Sequence, residues 1–189
     1  MPIEICALSK RFGDKPVLDR ITISLRSPGV TAITGPSGRG KTTLLRILAG
    51  LEQADSGSFS SPGRIACLFQ DARLLPWLTA AQNISLVLGD TPEAMAAATI
   101  WLGRVELADA ADKYPAELSG GMQQRVALAR ALAYGGDTIL LDEPFRALDR
   151  PLRLRLYPLI REAAKTAAVV IVTHDPEDAA QLGADIIAL

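Results

Sequence analysis

Apolar positions fall along this chain in two rhythms. Short runs dense in β-branched residues predict strands: "IEICALS" (3–9), "ITISL" (21–25), "VTAITG" (30–35), "RIACLFQ" (64–70), "TILLDEP" (138–144) and "AVVIVTHD" (168–175). Four of these, all but the first two, are apolar almost throughout, which suits a parallel sheet buried on both faces. Helical spacing appears in "KTTLLRILAGL", "PEAMAAATIWLGRV", "MQQRVALARALA" and "PLRLRLYPLIREAAKT". Pro158 inside the last of them predicts a kink or break. "QADSGSFSSPGR" (53–64) reads as a turn-rich link to the next strand. From Asp71 to Leu118 strand character is scarce, which predicts a helical insert jointed at Pro76, Pro92 and Pro115. Strands alternating with helices give an α/β fold with a mainly parallel sheet. The expected organisation is one domain, with residues 1–70 and 119–189 forming a core and 71–118 a helical subdomain.

Composition narrows the partners more than the fold. The chain has 189 residues, enough to bury roughly 70% of its unfolded surface without disulfide staples. Its 20 basic and 21 acidic residues leave a net charge of −1 and no electrostatic footprint for nucleic acid. Cys6 and Cys67 both lie in apolar strand runs, so two buried thiols are expected rather than a disulfide. The N-terminus lacks the basic and apolar regions of a signal peptide, and the longest apolar stretch, "AAVVIVT", is too short to span a bilayer. The expectation is a soluble chain that reaches a membrane only by docking onto a membrane protein.

The chemistry concentrates in a few stretches. "GPSGRGKT" (Gly35 to Thr42) matches GxxxxGK[ST] between a strand and a helix, the context this phosphate loop requires. Its glycines let N–H groups close on phosphate oxygens. Lys41 neutralises charge, the Thr42 hydroxyl ligates Mg²⁺, and the helix N-terminus adds its positive end. Thr43 is placed to donate to the α-phosphate. In "TILLDEP", Asp142 ends an apolar strand where such proteins hold Mg²⁺, and adjacent Glu143 is placed to polarise the attacking water. His174, the only histidine, follows a strand expected to end at the same sheet edge, from which it reaches the γ-phosphate and Glu143. Gln70 is uninformative alone, although an amide at the hinge of the insert can contact Mg²⁺ or water. Phe12 in "SKRFGDKP" either stacks on a nucleobase or packs on its own domain. "LSGGMQQR" opens a second loop-to-helix unit at Ser119, Gly120 and Gly121, with a helix N-terminus but no lysine.

In this order the stretches resemble the nucleotide-binding subunit of ATP-binding-cassette (ABC) proteins, over nearly the whole chain. "LSGG" between a phosphate loop and "LLDEP" carries most of that resemblance. It implies a P-loop three-layer core with a small antiparallel β region and a helical insert. ATP and Mg²⁺ are the implied cofactors. Phe12 would stack on adenine, and Gly35, Pro36, Ser37, Gly38, Arg39, Gly40, Lys41, Thr42 and Thr43 would hold the phosphates. Gln70 would contact Mg²⁺ or water, and Asp142 and Glu143 would be the magnesium-holding and catalytic acids. Ser119, Gly120 and Gly121 would touch the γ-phosphate of a partner subunit, Asp149 would be the D-loop aspartate at the nucleotide site, and His174 would be the switch histidine. A second copy, joined head-to-tail across two ATPs, is therefore the first implied partner.

"LFQDARLLPWLTAAQNI" is similar to importers of the nitrate, sulfonate and taurine type. Asp71, Arg73, Leu74, Leu75 and Trp77 would then meet an integral membrane permease on the cytoplasmic face, with an extracytoplasmic solute-binding protein acting indirectly. Leu74, Leu75 and Trp77 also suit packing of the insert itself. Arg146 in "PFRALD", where such importers carry a small residue, and Pro158 depart from the family pattern. So does the end of the chain at "ADIIAL", where relatives continue with another strand, leaving a less protected sheet edge. The implied function is ATP hydrolysis powering solute uptake. The alternatives are a non-transport ABC ATPase acting on another macromolecule and an importer for a different small solute such as thiamine.

Overall fold

A five-stranded parallel sheet runs through the middle of the molecule, in the order β5–β6–β7–β3–β8. Its strands are β3 (Gly29–Thr34), β5 (Ile65–Leu68), β6 (Thr138–Asp142), β7 (Ala168–Val172) and β8 (Asp185–Ala188). The computed structural model describes residues 2–60 and 63–189, so positions 61–62 of the turn-rich link lie outside the described residues. Every residue of β6 and β7 is buried, as their continuous apolar runs predict for central strands. A second, antiparallel sheet of order β2–β1–β4 lies against one face, built from β1 (Ile3–Phe12), β2 (Lys15–Leu25) and β4 (Ser56–Phe59).

Alternation along the parallel strands feeds two apolar cores. Ile33, Leu140, Val170 and Val172 face Ile5, Leu8 and Leu25 of the small sheet and Leu44, Leu45 and Leu48 of α1 (Lys41–Leu48). Ala32, Ile139, Leu141, Val169 and Ile171 face the other way, onto a cluster shared by several helices. These are α2 (Ala80–Ser85), α3 (Pro92–Arg104), α4 (Gly120–Tyr134), α5 (Arg150–Ala163) and α6 (Pro176–Leu182). Residues 71–118 contain α2, α3 and three short 3₁₀ turns, and no strand. Ile84, Ala98 and Leu102 of that stretch share one apolar cluster with Val126 and Leu128 of α4.

Four expectations need correction. Part of the turn-rich link is strand β4, whose polar "SGSF" pairs along β1 through Ile5–Phe59, Cys6–Ser58 and Ser9–Ser56. Cys6 is exposed and Cys67 half-buried, both free, because the β1 pleat turns Ile5 inward and Cys6 outward. Helix α5 runs uninterrupted through Pro158, which lies on its exposed side. The carbonyl of Leu154 that loses its amide partner is likewise on an exposed residue, where water can replace the bond. Trp77 is 69% exposed and does not pack the insert. Among the described residues no helix is long and apolar enough to cross a membrane.

Candidate active site

Register brings the chemistry to one place. Ile33 and Asp142 both pair with Val172, and Leu68 pairs with Leu141, so β3, β5, β6 and β7 end at a common edge. The residues that follow those ends are the 35–40 loop, Gln70, Glu143 and His174. Of these, Ser37, Gly38, Gly40, Gln70, Glu143 and His174 line a cleft of about 360 Å³ with Lys41, Thr42, Thr43 and Asp142. Ligands sit at this edge in open α/β sheets.

The loop is shaped before anything binds. Gly40 has φ +88°, and a Cβ there would meet the Val17 carbonyl at 2.7 Å, so glycine alone fits. The β1–β2 hairpin thus passes close to the loop at Val17. Lys41 is buried, and its ammonium donates to the carbonyls of Gly35 and Pro36, each at 2.8 Å. Helix α1 begins at Gly40 with no side-chain cap and no acid in its first turn, which leaves N–H groups and a positive helix end for an anion.

Beyond the loop, the Thr42 hydroxyl donates to Asp142 Oδ2 at 2.7 Å. Burial pushes the Asp142 carboxyl above its ordinary value, and nearby Glu143 adds to this, while the bond from Thr42 opposes it. A group held this way gains from a cation. One hydroxyl and one carboxylate do not make an all-protein metal cage, and no cluster of three metal-ligating side chains occurs among the described residues. The pair suits Mg²⁺, which keeps waters and phosphate oxygens and takes few protein ligands.

Glu143 stands at φ +50°, a left-handed conformation uncommon outside glycine. Its N–H donates to the Val172 carbonyl at 2.9 Å, and its carboxylate lies 2.8 Å from Nε2 of His174. His174 is held through its neighbours. Thr173 donates its hydroxyl to Asp178, which also accepts from the Tyr157 hydroxyl at 2.6 Å, and Arg153 pairs with both Asp175 and Asp178.

Other sequence candidates lie elsewhere. Gly35 and Pro36 contribute carbonyls to the loop without lining the cleft, and Arg39 is exposed outside it. Ser119 caps α4, accepting from Met122 N–H, and Asp149 caps α5, accepting from Leu152 N–H at 2.9 Å. Gly120 lines a second cleft of about 450 Å³ between insert and core, with Gln70, Asp71, Arg73, Leu74 and Arg146. Gln70 thus borders both clefts. Gly121 lines neither, and Phe12 is half-exposed near the end of the hairpin. Sequence reasoning missed Val17 in the cleft wall, where an apolar strand residue gives no signal. It also missed Arg130, which donates to the carbonyls of Ala72 and Arg73 and ties α4 to the segment after Gln70.

An uncapped helix N-terminus and a buried ammonium in one loop, with an acid and a hydroxyl suited to Mg²⁺ beside it, fit a polyphosphate. The fold and site define a P-loop nucleotide-binding ATPase. Residues 18–146 match the family described as ABC transporter. The chain is 46% identical, over 99% of its length and 78% of the relative's, to the aliphatic sulfonates import ATP-binding protein SsuB 1 of Paracoccus denitrificans. It is 44% identical, over 99% and 77%, to the SsuB 1 protein of Nocardia farcinica. Its fold is similar to the ATP-binding cassette MJ0796 in a dimeric post-hydrolysis state bound to ADP and Pi. The TM-score is 0.90 at 29% identity, over 99% of this chain and 94% of that one. This chain belongs to the ABC transporter family, as its ATP-hydrolysing cassette.

Proposed function

We propose that this cassette hydrolyses ATP to power import of a small organic anion of the sulfonate class, as a head-to-tail pair of identical chains at the cytoplasmic face of a membrane permease. One observation carries the catalytic reading: the Lys41 loop, the Thr42–Asp142 pair and the Glu143–His174 pair share one cleft at one sheet edge. The loop amides, Lys41 and Thr43 bind the phosphates, and Phe12 stacks on the base. Thr42 and Asp142 would hold Mg²⁺, and Gln70 lines the same cleft. When bound, the ion neutralises charge on the β- and γ-phosphates. Glu143 polarises water for in-line attack, and His174 holds that carboxylate in place. Residues 71–118 act as a helical subdomain that moves with Gln70, and Asp71, Arg73, Leu74, Leu75 and Trp77 face the permease.

Two copies complete each site, because the Ser119–Gly121 loop of one chain borders a cleft without a lysine and supplies a second, weaker phosphate cradle. The dimeric MJ0796 cassette supports that arrangement. The sulfonate class is supported by the names of the relatives at 44–46% identity.

Glu143→Gln should lower turnover by about 10²–10⁴-fold while ATP still binds, measured by phosphate release and by calorimetry. Wild-type turnover in that variant would remove Glu143 from its role. Reconstituted with the permease and solute-binding protein, the chain should drive ATP-dependent uptake of an aliphatic sulfonate. Uptake of thiamine instead would overturn the solute class, and salt-sensitive nucleic-acid binding would favour a non-transport ATPase.

A further inference from the structure

Lys10 is a buried lysine outside the cleft. It lies on β1 two residues before Phe12, only 9% exposed, and its ammonium is fixed from several sides. It donates to the Gln53 carbonyl at 2.7 Å, meets Glu52 Oε1 at 2.8 Å and Asp55 Oδ1 at 3.3 Å, and lies 5.2 Å from the centroid of the Phe12 ring. Asp55 is held in turn, its other oxygen accepting the Arg11 N–H at 2.7 Å and its own N–H donating to the Ser9 carbonyl at 2.9 Å. The hydrogen bond to Glu52, followed by the contacts with Asp55, pushes the Lys10 pKa up, so the ammonium stays charged across the physiological range.

The geometry has a specific consequence for the ring. Phe12 is 50% exposed, in keeping with a ring that has the ammonium on one side and is accessible on another. A cation against a π face both orients the ring and draws electron density from it. A ring so fixed and polarised presents a pre-organised, electron-poor platform to an electron-rich flat ligand. This hairpin passes close to the phosphate loop, where Val17 of β2 approaches Gly40.

We propose that Lys10 is a positioning residue for nucleobase binding: clamped by Glu52, Gln53 and Asp55, it holds and polarises the Phe12 ring on which the purine stacks. The proposal rests on the reading of Phe12 as the base-stacking residue. It separates base affinity from phosphate affinity, since Lys10 and Phe12 lie outside the phosphate cleft.

The test is calorimetric binding of ATP and of inorganic tripolyphosphate, which has no base, to the full chain and to its variants. Lys10→Met keeps the stem and removes the charge. It should weaken ATP binding about two- to fivefold, leave tripolyphosphate binding unchanged and leave turnover at saturating ATP unchanged. Lys10→Arg should restore ATP affinity. Phe12→Ala should also weaken ATP alone, and adding Lys10→Met to it should cost nothing further. ATP affinity unchanged in Lys10→Met, an equal loss for tripolyphosphate, or full additivity with Phe12→Ala would each overturn the role of Lys10. Unchanged ATP affinity in Phe12→Ala would instead overturn the stacking reading itself. Unaltered tripolyphosphate binding is also the control that each variant has folded.

Discussion

Glu143 sits in a backbone conformation that costs a non-glycine residue of order 1–3 kcal/mol, and it does so where two β-strands deliver their ends. The neighbouring Val172 carbonyl and His174 ring hold it there. Asp142 beside it carries a different cost. Its buried carboxyl has a raised pKa, so its favourable contribution to stability is present in full below the unfolded value of about 3.9. That contribution is lost as pH rises through the raised folded value. Above that folded value the ionised group therefore weakens the free chain. Asp142→Asn should raise the melting temperature of the nucleotide-free chain, with each ~1 kcal/mol worth ~2–4 °C at this size, and should abolish Mg²⁺-dependent turnover. Calorimetric melting with and without Mg²⁺·ATP checks both, and a lower melting temperature for the free variant would refute this account of the site. Lys41, Thr42, Asp142 and Glu143 were legible in the sequence because a motif with fixed spacing carries them. Arg130 and Asp178 were not, because their roles depend on carbonyls and hydroxyls far away in the chain.

At the scale of elements, strands read as apolar runs were found wherever burial was two-sided, as in β6 and β7. β4 was missed because "SGSF" is mostly exposed and exists as a strand only through its pairing with β1. The continuous α5 has the same lesson in reverse. A local rule expected Pro158 to kink or break it; the helix is unbroken, and its exposed side lets water take up the lost bond. Helices α5 and α6 are clipped together by Arg150–Glu177 and Arg153–Asp175. The hydrogen bond from Arg153 holds the Asp175 carboxyl below its ordinary range, and the N–H of Glu177 assists. With a depressed folded pKa, this contribution is present above the unfolded value of about 3.9 and lost as pH falls through the folded one. Asp175→Asn, which can still cap α6, should melt below wild type at pH 7, and the gap should narrow as pH falls through the depressed folded value. A gap that persists undiminished in acid would mean that the ion pair is not its source.

At the scale of the whole molecule, the chain has two loop-to-helix units, one at Lys41 and one at Ser119. The α/β class could be read from alternating periodicities, but the strand order β5–β6–β7–β3–β8 could not, because crossovers leave no local mark in the sequence. That order sets the Lys41 loop and Glu143 at one cleft and leaves Ser119 and Gly121 outside it. In the proposed assembly a second chain therefore brings a Ser119 loop to each bound triphosphate. The most direct measurement is the solution mass, by light scattering, of the Glu143→Gln chain with Mg²⁺·ATP, alone and combined with Ser119→Arg. The single variant should be a dimer that dissociates without nucleotide, and the double variant a monomer that still binds ATP. A double variant that dimerises as well as the single one would contradict that assembly, and the Ser119 loop would then be only the cap of α4.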